Sequence, residues 1–143
     1  MGERVASDHP SVRTFRGHIE PSGATSRPRV ALPAEAADAM PDGVVRLVLD
    51  GRTYHADVRA GSDGPVIRGA YDNARLARSP GEGENRLPGW IEAADLSIGR
   101  SVLIDEVVDG SLFGARAPGR TAVYEATEPP ASSLSSIAEG LDE

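Results

Sequence analysis

Four Asp-Gly pairs punctuate the chain, at Asp42-Gly43, Asp50-Gly51, Asp63-Gly64 and Asp109-Gly110. Such pairs supply the positive φ angles that tight hairpin turns demand. Residues 44–49 and 53–58 flank Asp50-Gly51 and read as one β-hairpin. Residues 102–108 and 112–117 flank Asp109-Gly110 and read as a second. Further strands are expected over 13–20, 29–32, 65–71 and 121–126. Strand alternation sends Phe15, Gly17 and Ile19 inward, with Tyr54, Ala56 and Val58. The same alternation turns His18 and His55 outward.

Two short helices fit between the strands. One starts at Pro33, a residue suited to the first helical position, and ends before Pro41-Asp42-Gly43. Leu32, Ala36, Ala37 and Met40 would share its apolar face. The other runs over about residues 88–96, with Leu87, Ile91, Ala94 and Ile98 on one side. The elements recur: Glu35-Ala-Ala-Asp38 and Glu92-Ala-Ala-Asp95 each precede a Gly, a strand, an Asp-Gly turn and a strand. Residues 12–66 and 67–126 therefore read as two ββαββ-type half-repeats of one domain. Neither half can bury both faces of its hairpin alone. Closing the strands into a barrel removes exposed edges. The expected fold is mainly β (α+β), a small closed or partly closed barrel with a helix at each rim. Residues 127–143 form a separate acidic tail, with Leu134, Ile137, Ala138 and Leu141 on one face of a short helix.

Composition bounds the chemistry. The 143 residues suffice for one domain that needs no disulfide or metal to fold. There is no cysteine, which removes thiolate catalysis and cysteine-held metal sites. No apolar run approaches the length needed to span a bilayer, and the first residues lack a signal-peptide core. A cytoplasmic setting is expected. All 15 basic residues are Arg, against 22 acids and a net charge of −7. A GC-rich genome accounts for part of the Arg, Ala, Gly, Asp and Val enrichment; high cytoplasmic salt accounts for the acids as well, and is preferred. Five of the acids fall in residues 125–143, which hold no Arg, so the rest of the chain is nearly balanced. The acid excess argues against sequence-blind nucleic-acid binding without excluding it.

The stretch Leu32-Pro33-Ala34-Glu35 through Asp42-Gly43-Val44 resembles the swapped-hairpin antitoxins and transition-state regulators. That resemblance covers about thirty residues and implies a cradle-loop barrel. Members of that family bind DNA as small dimers, through basic residues that are thin in this acidic chain. Residues 68–78, Arg68-Gly-Ala-Tyr-Asp-Asn-Ala-Arg-Leu-Ala-Arg78, resemble a family of uncharacterised small haloarchaeal proteins, which implies source and length but no activity.

The same stretch is the richest in polar chemistry. Tyr71, Asp72, Asn73, Arg75 and Arg78, flanked by Arg68 and Arg86, have the donors to grip a carboxylate or phosphate bidentately. The alternative is that these arginines make ordinary ion pairs with abundant acids. Gly81-Glu82-Gly83-Glu84-Asn85 has the glycines of a phosphate loop, but its two Glu repel phosphate. No ligand spacing makes His9, His18 or His55 a metal centre, and no cofactor is implied. No serine, lysine or cysteine nucleophile motif occurs. Three functions stay open: a non-enzymatic binding or regulatory module, an enzyme acting on an anionic small molecule through Asp72, Asn73 and Arg75, and an assembly subunit using residues 134–141. A homo-oligomer is left open.

Overall fold

The computed structural model describes residues 3–10, 12–21, 27–108 and 110–126. Its strands are β1 (Glu3–Ala6), β2 (Arg13–Pro21), β3 (Pro28–Ala31), β4 (Gly43–Leu49), β5 (Arg52–Ala60), β6 (Pro65–Tyr71), β7 (Ser101–Val108), β8 (Leu112–Arg116) and β9 (Val123–Ala126). The helices are α1 (Ala74–Arg78) and α2 (Leu87–Ala93), with 3₁₀ turns at Ala34–Asp38 and Pro80–Glu82. Seven strands close a barrel in the order β2-β3-β6-β5-β4-β8-β7, with β7 returning to β2. All pairings are antiparallel except β4 with β8. β1 and β9 form a separate two-stranded ribbon.

The turn chemistry sets the register. Asp50 and Gly51 both have positive φ, 54° and 84°, and Leu49 faces Arg52 across a two-residue loop. This is the geometry that matches the right-handed twist of paired strands. Gly64 closes the β5–β6 connection at a φ of 143°, and a β-carbon there would strike the backbone of Leu32 and Pro33. Between β7 and β8 the register shifts at Glu106 and Val108, and Gly110 takes a φ of 69°; Asp109 lies outside the described residues. The expected tail helix over 132–141 does too.

The inward positions fill the barrel. Phe15, Ile19, Val30, Leu47, Val58, Ile67, Ile104 and Phe113 form one core. The 3₁₀ turn at Ala34–Asp38 plugs one end with Ala36, Ala39 and Met40, while Leu87 and Ile91 of α2 plug the other. The first plug differs in detail from an α-helix. Three residues per turn bring Ala39 inward in place of Ala37, which is exposed. α2 stops at Ala93, so Ile98 leaves the apolar face and is exposed, and Leu96 packs against the core instead. Along the chain, 13–60 runs strand-strand-turn-strand-strand, whereas 65–116 places one strand before two helices and a hairpin.

The ribbon covers the outside of β4, β8 and β7. Val48, Leu112 and Tyr124 form a second small core there. Tyr124 lies directly over Gly114, where any β-carbon would strike the ring. Ser7, just after β1, bonds the residue just before β9, its N–H donating to Ala122 O (2.8 Å) and its hydroxyl accepting from Ala122 N (3.0 Å).

Candidate functional site

The polar segment after β6 is folded against its own neighbours. Asn73 caps α1, its side chain accepting from Leu76 N at 2.9 Å. Arg86 grips Asp72 with two bonds, Nε to Oδ1 at 3.2 Å and an Nη to Oδ2 at 3.0 Å, and also reaches Glu84 at 3.1 Å. The Arg86 hydrogen bonds hold the Asp72 carboxyl below the usual carboxylate range. Arg75 turns to Glu82 at 2.8 Å. Arg68 and Arg78 are exposed on β6 and α1. The segment thus brings Asp72 and Arg86 together and sends Arg75 elsewhere. Solvent screens such exposed pairs, so they add little to stability.

Tyr71 differs, being 5 % exposed at the end of β6. Burial pushes its phenol above the ordinary range, and the nearby Asp57 carboxylate adds to the rise. It lines a polar cavity of about 440 Å³ with Arg27, Gly81, Gly83, Asn85 and Pro88. The Asn85 side chain zips this loop to the barrel. Its Oδ1 accepts from Ala70 N and Leu87 N, both at 3.0 Å, over the bare backbone of Gly69.

A larger cleft, about 480 Å³, opens at the same end of the barrel. The β4–β5 turn supplies Asp50, α2 and its end supply Trp90 and Asp95, and β8 with the segment after it supplies Arg116, Arg120 and Tyr124. Small or aliphatic side chains, Val48, Ala93, Ala115 and Ala122, line it as well. Trp90 is half-buried and packs on the barrel core, so its ring is braced on one side.

Arg116 is held in place from behind. Asp105, on the outward face of β7 and fully buried, takes Arg116 Nε at 2.8 Å and an Nη at 3.2 Å. Thr14 Oγ1 and Tyr124 Oη also donate to this carboxylate, each at 2.6 Å. The other Nη of Arg116 donates to Arg120 O. Burial, then the Asp105 hydrogen bond, drives the Tyr124 phenol far upward, and the Asp105 contact raises Arg116. The phenol and the guanidinium therefore both keep their protons across the physiological range. The guanidinium is thus a fixed, permanently charged part of the cleft wall.

Sequence reasoning missed this cleft. Its residues come from three stretches far apart in the chain, 48–51, 90–95 and 115–124, and most are alanines or turn residues without a motif. The one signal was Trp90, the single tryptophan. His18 is exposed, as alternation requires; His55 is half-buried. Among the described residues no group of three or more His, Asp or Glu is placed to hold a metal ion, and no helix is long and apolar enough to cross a membrane.

Residues 1–141 match the model of a Family of unknown function (DUF7112). No curated protein and no solved structure matches the chain.

Proposed function

We propose that the chain, which belongs to this family, is a non-enzymatic binding module whose ligand sits in the cleft beside Trp90. The observation that supports this best is the Arg116 guanidinium, locked by buried Asp105 at the wall of the larger of the two cavities described above. A charge held rigid before the ligand arrives loses little freedom on binding. The cleft volume falls within the range of small-molecule sites, and its lining combines apolar surface with a few directed polar groups. These groups bind and orient; the barrel is the frame that fixes them. The lysine-free, acid-rich composition supports a salt-rich cytoplasm as the setting.

The lone tryptophan makes the test direct, because its emission reports this cleft and no other. A small-molecule library titrated against intrinsic fluorescence should yield ligands that shift the Trp90 emission. Arg120→Ala should weaken those ligands by about tenfold, the worth of one charged hydrogen bond. Ligands that raise the melting temperature while Trp90 emission and the Arg120→Ala affinity stay unchanged would place binding elsewhere.

A second reading keeps the anion site at Arg68, Tyr71 and Arg78. The cavity beside Tyr71, with Arg27 at its wall, favours it. Arg68→Ala and Arg78→Ala would then remove phosphate or carboxylate binding while the Trp90 emission stays silent.

A further inference from the structure

The charges of the cleft are divided by element. Asp50 and Asp95 come from the β4–β5 turn and the residues after α2; Arg116 and Arg120 come from β8 and the loop behind it. Arg116 is fixed by its pair with buried Asp105, so among the described residues Arg120 is the cleft's cation without an ion pair. Among the described residues, Asp50, Asp95 and Arg120 make no ion pair with one another or with any other group. A free anion would meet two carboxylates, and a free cation would leave Arg120 facing nothing. From this division we infer that the ligand is a zwitterion with an apolar body, its cationic group toward Asp50 and Asp95 and its carboxylate toward Arg120 and Arg116. The inference rests on the cleft being the binding site.

The rest of the lining suits the same molecule. Trp90 brings an aromatic ring to the lining, a partner for an ammonium group or an apolar side chain. Val48, Ala93, Ala115 and Ala122 add small and aliphatic surface to the same lining. Val123 is 60 % exposed at the rim, apolar surface that a ligand body would cover. The backbone alone does not call for the two carboxylates. Asp50 and Asp95 have φ of 54° and 61°, a left-handed conformation that Asn adopts as readily. Replacing either by Asn therefore keeps the turn and removes only the charge.

The experiment uses three compounds with one apolar body: L-phenylalanine, 3-phenylpropanoate and 2-phenylethylammonium. Each is titrated up to roughly 10 mM by calorimetry and Trp90 emission, a range that captures millimolar binding. L-phenylalanine should bind about tenfold more tightly than either singly charged relative, since each lacks one charged contact. The Asp50→Asn/Asp95→Asn double variant should lose that preference over phenylpropanoate while keeping the wild-type melting temperature. Arg120→Gln should lower phenylalanine affinity and leave phenylethylammonium unchanged. Equal or tighter binding of phenylpropanoate, or no binding of phenylalanine, overturns the zwitterion. If phenylpropanoate alone binds and shifts Trp90 emission, the cleft stands and only the ligand class fails. If phenylalanine binds with the emission unmoved, the cleft itself fails.

Discussion

Asp105 has no exposed surface, yet three side chains donate to it. Removing its charge leaves Arg116, only 14 % exposed, without its counter-ion, and leaves two hydroxyl donors poorly matched. Breaking a buried pair from one side costs about 3–5 kcal/mol, so Asp105→Asn should lose about that much stability in urea denaturation. It should also free the Arg116 side chain and weaken any cleft ligand. Thr14→Val, which removes one donor and leaves the pair, should cost about 1 kcal/mol. Equal losses from the two variants would show that the pair does not dominate the network. His55 gives a second residue-scale test. Burial lowers its pKa first, and the positive charges of Arg46 and Arg78 lower it further. The folded side chain therefore binds a proton less readily than the unfolded one. Its contribution to stability is full above the unfolded value near 6.5 and is lost as pH falls through the lower folded value. His55→Gln should flatten the acid side of the stability–pH curve below about 6.5. An unchanged slope would mean that His55 is as solvated in the fold as in the unfolded chain.

At the scale of elements, the hairpins were legible because a two-residue turn is a local matter. Asp50-Gly51 demands positive φ twice, and the flanking alternation then fixes which side chains face in. The two barrel plugs were legible as apolar clusters beginning at prolines, but not their helix type. Ala34–Asp38 is held by Ala39 N and Ala36 N bonding back three residues, a spacing that the apolar pattern alone does not distinguish from an α-helical turn. α1 was invisible in sequence, since Ala74–Arg78 is too short to show a period and its cap, Asn73, read equally well as a ligand group. β1 was missed for the same reason: four residues at the chain start have no alternation to speak of, and their partner β9 lies over a hundred residues away. The loop between α1 and α2 has its own weak point. Asn85 alone satisfies Ala70 N and Leu87 N. Asn85→Ala should orphan both and cost about 1–3 kcal/mol, with faster exchange at the Ala70 and Leu87 amides. Asn85→Asp keeps the acceptor and should restore most of the loss. A harmless Asn85→Ala would show that water replaces the amide there.

For the whole molecule, closure was an inference from edges: several short strands in one small domain leave none exposed when the sheet meets itself. Which strands meet was beyond the sequence. The parallel β4–β8 contact and the β2–β7 closure join segments tens of residues apart, and no local pattern encodes them. The same distance hid the cleft, which exists only once the β4–β5 turn, α2 and β9 are brought to one end. Topology also orders the stability of the parts. Every barrel strand has two neighbours and contributes to one continuous core, whereas β1 and β9 each pair only with the other. The ribbon is held to the barrel by Tyr124 on Asp105, by its contact with Val48 and Leu112, and by nothing as extensive as the main core. Cooperative units open at free energies set by how much they bury. Amides of β1 and β9 should therefore exchange through a sub-global opening, well before those of β2, β4 and β7, which should exchange together. Tyr124→Phe removes the hydroxyl that reaches Asp105 and should speed exchange in the ribbon by about tenfold, a bond worth near 1.4 kcal/mol, while the barrel amides hold their rates. Because β9 also walls the cleft, a cleft ligand should slow that same opening and protect β9 selectively. Uniform protection across ribbon and barrel would instead mark them as one folding unit.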